Sequence, residues 1–442
     1  MSVRTSTALL TDQYELTMLA AAFRSGRAER RCAFEVFGRR LPAGRRYGVV
    51  GGTGRVAEAV TRFRFTDEQI DFVSHFLDDK TTSWLADFHF RGDIDAYPEG
   101  ELYFPDSPIL TARGTFAECV MLETLLLSIL NFDTAIVSAA TRMVSAANGR
   151  PLIEMGSRRT NEEAAVFAAR AAYLAGFTTT SNLEAGLRFG IPTGGTSAHA
   201  FTLLFTDKEG PQEQEAFAAQ VADLGVGTTL LVDTYDITEG VRNAVAVAGP
   251  DLGAIRIDSG ELGVLVPQVR RQLDDLGARN TRIVVSGDLD EYAIAALRSE
   301  PIDSYGVGTS LVTGSGAPTA GLVYKLVEVD GTPVAKRSAH KQSRGGVKLA
   351  LRVARPSGTL VEERILLGDA ADAYRADPAS QAVEGSIREV ARPLLRGGEP
   401  VESDWSDLSA DRVRVADGLR ALPWEGLALS EGEPAIPTVI VA

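Results

Sequence analysis

The sequence predicts an α/β protein: an irregular β/α barrel with an N-terminal α+β domain to which the C-terminal segment returns. Three observations carry that expectation. Seven short strand-like stretches between residues 152 and 307 alternate with helical patterns, the arrangement that builds a parallel sheet. Each stretch ends in polar residues, which places chemistry at one rim. A run without Gly or Pro, Phe116–Ala147, separates these units from a mixed region upstream.

Taken in order, residues 8–115 mix strand-like segments such as Ala33-Phe34-Glu35-Val36-Phe37 with turn-rich ones such as Leu41-Pro42-Ala43-Gly44. Within Phe116–Ala147, Leu122, Leu125, Leu126, Ile129 and Leu130 recur at helical spacing, so a long buried helix or helix pair is expected there. Strands follow at Leu152–Met155, Phe177–Thr180, Thr193–Ser197, Thr228–Asp233, Ala254–Asp258, Arg282–Ser286 and Ser304–Val307. Helices fall at Asn161–Ala175, Leu183–Arg188, Gln212–Leu224, Ile237–Val247, Leu262–Leu276 and Asp290–Ser299. The count suits a closed barrel better than an open doubly wound sheet. From about Ala354 the chain is rich in Gly, Pro and acidic residues, ends in strand-like Thr438–Val441, and is expected to pack on the first domain. The expected divisions are 1–130, 131–353 and 354–442.

Bulk properties narrow the function. With 442 residues, 45% of them hydrophobic, the chain can bury a large core in more than one folding unit. A formal net charge of −14 argues against a nucleic-acid surface, though an acidic enzyme still binds anions locally. Cys32 and Cys119 lack a CxxC spacing and a nearby His, and read as structural thiols. Residues 1–7 lack an apolar signal core, and no apolar run is read as approaching the ~20 residues a bilayer needs, so the expectation is a cytoplasmic protein without membrane contact. Only six of 45 basic residues are lysines, and four of the six are Lys325, Lys336, Lys341 and Lys348. That cluster is either a solvated loop or an anion clamp.

The strand ends supply the candidate site residues. Gly156, Gly195, Gly287 and Gly308 would let backbone N–H groups approach phosphate oxygens. Arg256 and Asp258 lie two apart on one strand and share a face, which suits either an anionic ligand or a structural ion pair. Asp258 and Asp288 end separate strands, so the pair could hold vicinal ribose hydroxyls or ligate a divalent metal. His199 follows Gly194-Gly195-Thr196-Ser197-Ala198; it is a base, a nucleophile or a structural histidine.

These residues strongly resemble the nicotinate phosphoribosyltransferase family, of the type II phosphoribosyltransferase group. The match begins at Leu10-Thr11-Asp12-Gln13-Tyr14-Glu15-Leu16-Thr17-Met18 and takes in Ile153-Glu154-Met155-Gly156-Ser157-Arg158-Arg159, Thr193–His199, Gly253–Leu262, Val284–Asp288 and Tyr305–Ser310. It ends in Gly321–Leu326 and Lys336–Ser343. The resemblance implies an irregular barrel and a homodimer with shared active sites. It also implies an ATP-coupled reaction, classed as a ligase reaction, that joins nicotinate to phosphoribosyl pyrophosphate in NAD salvage. By the same resemblance Arg256 takes the nicotinate carboxylate, Tyr14 stacks on the pyridine ring and Thr196 lines that pocket. Asp258 and Asp288 meet the ribose hydroxyls, and Gly287, Gly308 and Thr309 the 5′-phosphate. His199 is the phosphorylated histidine, Arg158 and Lys341 are further phosphate contacts, and Mg²⁺ accompanies the diphosphate, with its protein ligands unassigned. Two departures stand out: the family often has Asn or Ser near Gly287, and Pro-Gly where Gly345-Gly346 precedes Lys348. The alternatives are a nicotinamide phosphoribosyltransferase, a quinolinate phosphoribosyltransferase, for which the chain is too long, and a phosphosugar-binding barrel without turnover.

Overall fold

The computed structural model describes residues 6–336, 344–401 and 407–442. The chain divides into two compact units, residues 1–138 with 319–442, and residues 139–318.

The first unit is built on a seven-stranded antiparallel sheet in the order Thr332–Pro333, Leu322–Val329, Arg31–Gly38, Leu110–Thr115, Asp93–Ala96, Arg392–Arg396, Glu399–Pro400. The central strand Arg31–Gly38 is buried along nearly its whole length, because it is covered on both faces. Leu16, Leu19, Phe34, Val36, Ile94, Leu110, Leu122 and Leu126 share its core, and Phe34 stacks on Tyr324 at 4.8 Å. A second sheet runs Ser386–Glu389, Leu349–Ala354, Leu360–Leu366, Thr438–Val441. The C-terminal segment thus returns to the N-terminal domain through two sheets. Strands Leu322–Val329 and Leu349–Ala354, which the sequence reading grouped with the barrel, pair within this unit.

Phe116–Ala147 forms a helix pair, Phe116–Val120 and Glu123–Ala147. Thr115 starts the first with a capping box, its hydroxyl accepting from Glu118 N while the Glu118 carboxylate accepts from Thr115 N. Glu123–Ala147 is long and apolar enough to cross a membrane by length and composition, unlike the expectation that no such run exists; most of its apolar window is buried instead. Both cysteines are buried and free, and burial pushes the Cys32 thiol up to about 11 and that of Cys119 well above its usual value. Such thiols are poor nucleophiles.

Two of the four clustered lysines are paired within the first unit. Lys348 Nζ lies 2.5 Å from Glu35 Oε2, with both side chains buried, and also donates to the carbonyls of Arg344 and Gly346. Lys325 pairs with Glu123 at 3.4 Å. Lys341 lies outside the described residues. Gly345-Gly346 is packed rather than loose: a Cβ on Gly345 would stand 2.9 Å from the Val334 backbone, and Gly346 adopts φ +85° while donating to Val327 O.

One buried ionic network ties the strands Leu349–Ala354 and Leu360–Leu366 to Tyr97 and Leu102 of this unit. Arg352 Nη2 donates to Glu363 Oε2 at 2.7 Å and to Leu102 O at 2.8 Å, and Tyr97 Oη donates to the other Glu363 oxygen at 2.7 Å. The Arg352 and Glu363 side chains are 1% and 0% exposed. Removing the acid leaves the buried cation with only the longer 3.5 Å pair to Glu101, so Glu363→Ala is expected to destabilise the protein by about 3 kcal/mol in denaturant unfolding.

The second unit carries a six-stranded, all-parallel sheet in the order Thr229–Leu231, Ala254–Ile257, Arg282–Val285, Ser304–Val307, Leu152–Glu154, Thr179–Thr180, with helices between the strands. Parallel strands joined by helical crossovers bring all six C-terminal ends to one rim. The expected strand Thr193–Ser197 is reduced to a single bridge between Thr180 and Thr193, and among the described residues no pairing closes the sheet on Thr229–Leu231. Gly194 and Gly195 offer no side chain to pack, and both are exposed. The barrel is therefore an open, curled half. The chain then enters an unforeseen short helix, His199–Leu204.

Candidate active site

Arg256, in the strand Ala254–Ile257, and Asp258, just past its C-terminal end, are two residues apart and turn to the same face. Ser286 follows the neighbouring strand, and the register Ile257↔Val285 brings it level with Asp258. The three side chains close a ring. Arg256 Nη2 donates to Asp258 Oδ1 at 2.8 Å, Arg256 Nε donates to Ser286 Oγ at 2.7 Å, and Ser286 Oγ donates to Asp258 Oδ1 at 2.5 Å.

Burial alone would push the Asp258 carboxyl up. Hydrogen bonds from Ser286 and Arg256, with the charges of Arg256 and His199, outweigh it and hold the group below its ordinary range. Asp258 is an ionised acceptor throughout the neutral range.

Asp233, two residues past the strand Thr229–Leu231, supports the next turn. Its Oδ2 accepts from Asp258 N at 2.9 Å and from Ser259 Oγ at 2.6 Å, while Oδ1 is buried with no hydrogen-bond partner. Thr234 Oγ1 lies 3.1 Å from His199 Nδ1. His199 is thus gathered to the same rim as the ring of Arg256, Asp258 and Ser286.

The glycine turns have a steric cause. Gly287 adopts φ +99°, and a Cβ there would stand 2.1 Å from Asp258 O; the following Asp288 is left-handed at φ +47° and exposed. Gly308 precedes the short helix that Thr309 opens, and a Cβ on it would approach Met155 O to 3.2 Å. On the adjacent strand, burial raises the Glu154 carboxyl, which accepts from Thr180 Oγ1 and the Gly156 amide. Arg158 is exposed in the turn after Gly156 and makes no hydrogen bond or ion pair among the described residues. Thr196 is exposed in the loop before His199.

Tyr14 belongs to the first unit. It lies in the first turn of the helix Gln13–Arg24, next to Glu15, whose buried carboxylate accepts from Thr11 Oγ1, Thr124 Oγ1 and, at 2.9 Å, Thr124 N. Burial, Glu123 and Glu15 raise the Tyr14 phenol, keeping it neutral.

Three contributors escaped the sequence reading. Ser286, Asp233 and Thr234 all stand where an apolar strand gives way to polar residues, the same signal that singled out Asp258 and Gly287. What that signal lacked was the partner across the sheet. Among the described residues no group of three or more His, Cys, Asp or Glu gathers to hold a metal.

Comparison with known proteins gives this rim its context. Residues 9–131 match the family model of the nicotinate phosphoribosyltransferase N-terminal domain. The chain is 64% identical over 433 residues to nicotinate phosphoribosyltransferase pncB1 of Mycobacterium tuberculosis, covering 97% of this chain and 94% of that one. It is 39% identical over 443 residues to pncB2 of the same organism, covering 98% and 91%. The crystal structure of human nicotinic acid phosphoribosyltransferase superposes with a TM-score of 0.82 at 25% identity, over 97% of each chain. Fold and rim together define a phosphoribosyltransferase with an open β/α barrel. The chain belongs to the nicotinate phosphoribosyltransferase family.

The lowered Asp258 carboxyl has a pH consequence. A carboxyl depressed by folding adds stability above its unfolded pKa of about 4 and gives it up as pH falls through the folded value. Asp258→Asn should therefore flatten the acid limb: between about pH 5 and 2 the thermal midpoint should fall less in the variant than in the parent.

Proposed function

We propose that this protein joins nicotinate to phosphoribosyl pyrophosphate, yielding nicotinate mononucleotide and pyrophosphate, with ATP hydrolysis coupled to the transfer. The observation that carries the substrate assignment is the state of Arg256: two of its nitrogens are anchored, and Nη1 makes no hydrogen bond among the described residues. A guanidinium so held offers a carboxylate charge-assisted hydrogen bonds.

In the transfer, the pyridine nitrogen forms a bond to ribose C1 as the C1–O bond to pyrophosphate breaks, and the bonding pair leaves with that oxygen. Positive charge develops on the sugar. The ionised Asp258, with Asp288 on the next rim turn, is placed to bind the ribose hydroxyls and to favour that charge. The backbone at Gly287, Gly308 and Thr309 is assigned to the 5′-phosphate, Arg158 and Lys341 to the pyrophosphate, Tyr14 to stacking on the pyridine ring and Thr196 to the lining of its pocket. A ring nitrogen of His199 takes the γ-phosphoryl group of ATP as ADP leaves, and water later removes it as phosphate; while present it adds about two negative charges beside the pyrophosphate site.

The donor set fits a magnesium ion that arrives on the diphosphate, because a hard cation of this kind needs only one or two carboxylates besides phosphate oxygens. Asp288 and the unsatisfied Asp233 Oδ1 are the carboxylates available to it, and when bound it would neutralise charge on the leaving group.

The barrel unit also supports a homodimer with shared active sites. Leu183 and Leu187, on the helix after Thr180, are 77% and 82% exposed, and Leu204, on the helix opened by His199, is 74% exposed. Large apolar side chains beside a catalytic rim favour a covering partner, here a second copy. We assign the enzyme to the cytoplasm.

Arg256→Ala tests the substrate choice. The parent should prefer nicotinate over nicotinamide by at least about 100-fold in kcat/KM, since nicotinamide leaves the guanidinium unpaired, and the variant should lose most of that preference. Comparable use of both pyridines by the parent would move the nicotinamide reaction to first place. His199→Ala should abolish stimulation by ATP while leaving slow basal transfer; a variant that hydrolyses ATP and responds to it as the parent does would remove the phosphohistidine.

A further inference from the structure

Arg256 carries five N–H bonds on a planar fork, and a carboxylate is held well only when that plane is aimed. Asp258 alone does not aim it. It binds a single nitrogen, Nη2, through a single oxygen, leaving the guanidinium free to turn about that contact. The second anchor is Ser286, whose Oγ accepts from Nε while donating to the same Asp258 oxygen. One hydroxyl therefore locks both members of the pair.

Ser286 is suited to this by its place in the fold. It is 4% exposed, so its hydrogen bonds do not compete with bulk water. Its amide donates to Ile257 O at 3.0 Å, which sets its height against Asp258. On the other side stands Gly306, where a Cβ would come within 3.2 Å of Ser286 Cβ and 2.7 Å of Met155 Sδ, so that strand position is kept empty. The serine is held in register from one neighbour and given room by the other.

We infer that Ser286 is a positioning residue that sets selectivity for an anionic pyridine substrate, by fixing the Arg256 fork with Nη1 turned toward the ligand. This rests on the assignment of Arg256 to the substrate carboxylate. Ser286 does not touch the reacting atoms; it acts through Arg256. A hydroxyl is the group needed, because the position must accept from a guanidinium and donate to a carboxylate at once, which neither a methyl nor a second carboxylate does.

The test is steady-state kinetics with nicotinate, nicotinamide and phosphoribosyl pyrophosphate on Ser286→Ala, Ser286→Thr, Arg256→Ala and the double variant Arg256→Ala/Ser286→Ala. Ser286→Ala should raise the nicotinate KM about tenfold while kcat, the phosphoribosyl pyrophosphate KM and the nicotinamide KM each stay within about threefold, the pattern of lost substrate binding rather than lost chemistry. Ser286→Thr, which keeps the hydroxyl, should return the nicotinate KM to within about threefold of the parent. In the Arg256→Ala background Ser286→Ala should add no further change, because the residue through which it acts is gone. If alanine leaves a packing defect, Ser286→Cys keeps the volume, weakens both hydrogen bonds and should show the same KM shift. An unchanged nicotinate KM in Ser286→Ala, a parallel rise in all three KM values, or a further loss in the Arg256→Ala background would each overturn the inference while leaving the nicotinate reaction standing. An Arg256→Ala variant that keeps the full nicotinate preference would instead overturn the carboxylate assignment beneath it.

Discussion

The register of the parallel sheet in the second unit is the constraint on which the site depends. Side-chain alternation along Ala254–Ile257 puts Arg256 and Asp258 on one face, and the pairing of Ile257 with Val285 brings Ser286 to the same height. A slip of one residue would turn Ser286 to the opposite face and leave Arg256 with a single anchor. Because every strand in this sheet points the same way, the polar ends meet at one rim, and Asp233, Thr234, Gly287 and Gly308 fall beside the same ring of hydrogen bonds. The sheet need not close for this. The open edge beyond Thr193 passes directly into the loop and short helix that carry His199.

An acidic chain that handles phosphorylated substrates must place its cations with care. Three arginines and a lysine show two distinct uses. Arg352 and Lys348 are paired inside the first unit, each matched to a buried glutamate, and they act as fasteners between strands and turns. Arg256 is held but not used up, since a serine replaces the second carboxylate that would otherwise neutralise it fully. Arg158 is left in water in a rim turn. The difference lies in exposure and partners: Arg352 is fully buried and paired with carboxylates, whereas Arg256 is partly exposed at the rim and its Nη1 makes no hydrogen bond among the described residues.

The first unit shows how a tail becomes structure. Arg392–Arg396 pairs with Asp93–Ala96, and Thr438–Val441 adds in parallel to Leu360–Leu366, so both ends of the chain contribute to one body. The Tyr97–Glu363–Arg352 network links residues far apart in sequence within that unit. No local pattern announces such a link, for it depends on which strands become neighbours.

The sequence by itself determined what is local or repeated. Alternating β and α patterns gave the parallel sheet, the strand ends gave Arg256, Asp258, Gly287 and His199, and the ordered motifs gave the family. Helical spacing in Phe116–Ala147 gave a buried helix pair, whereas composition left the lysines as either a solvated loop or an anion clamp and could not show that Lys348 is buried against Glu35. Only the tertiary structure decided which side chains meet: that Arg256 and Asp258 pair through Ser286, that Asp233 holds the Ser259 turn, that Thr193 bridges without extending the sheet, and that residues 319–353 join the first unit. The reason is physical. Periodicity and turn chemistry act over a few residues and are written in order along the chain, whereas a hydrogen bond between neighbouring strands depends on register and packing summed over the whole sheet.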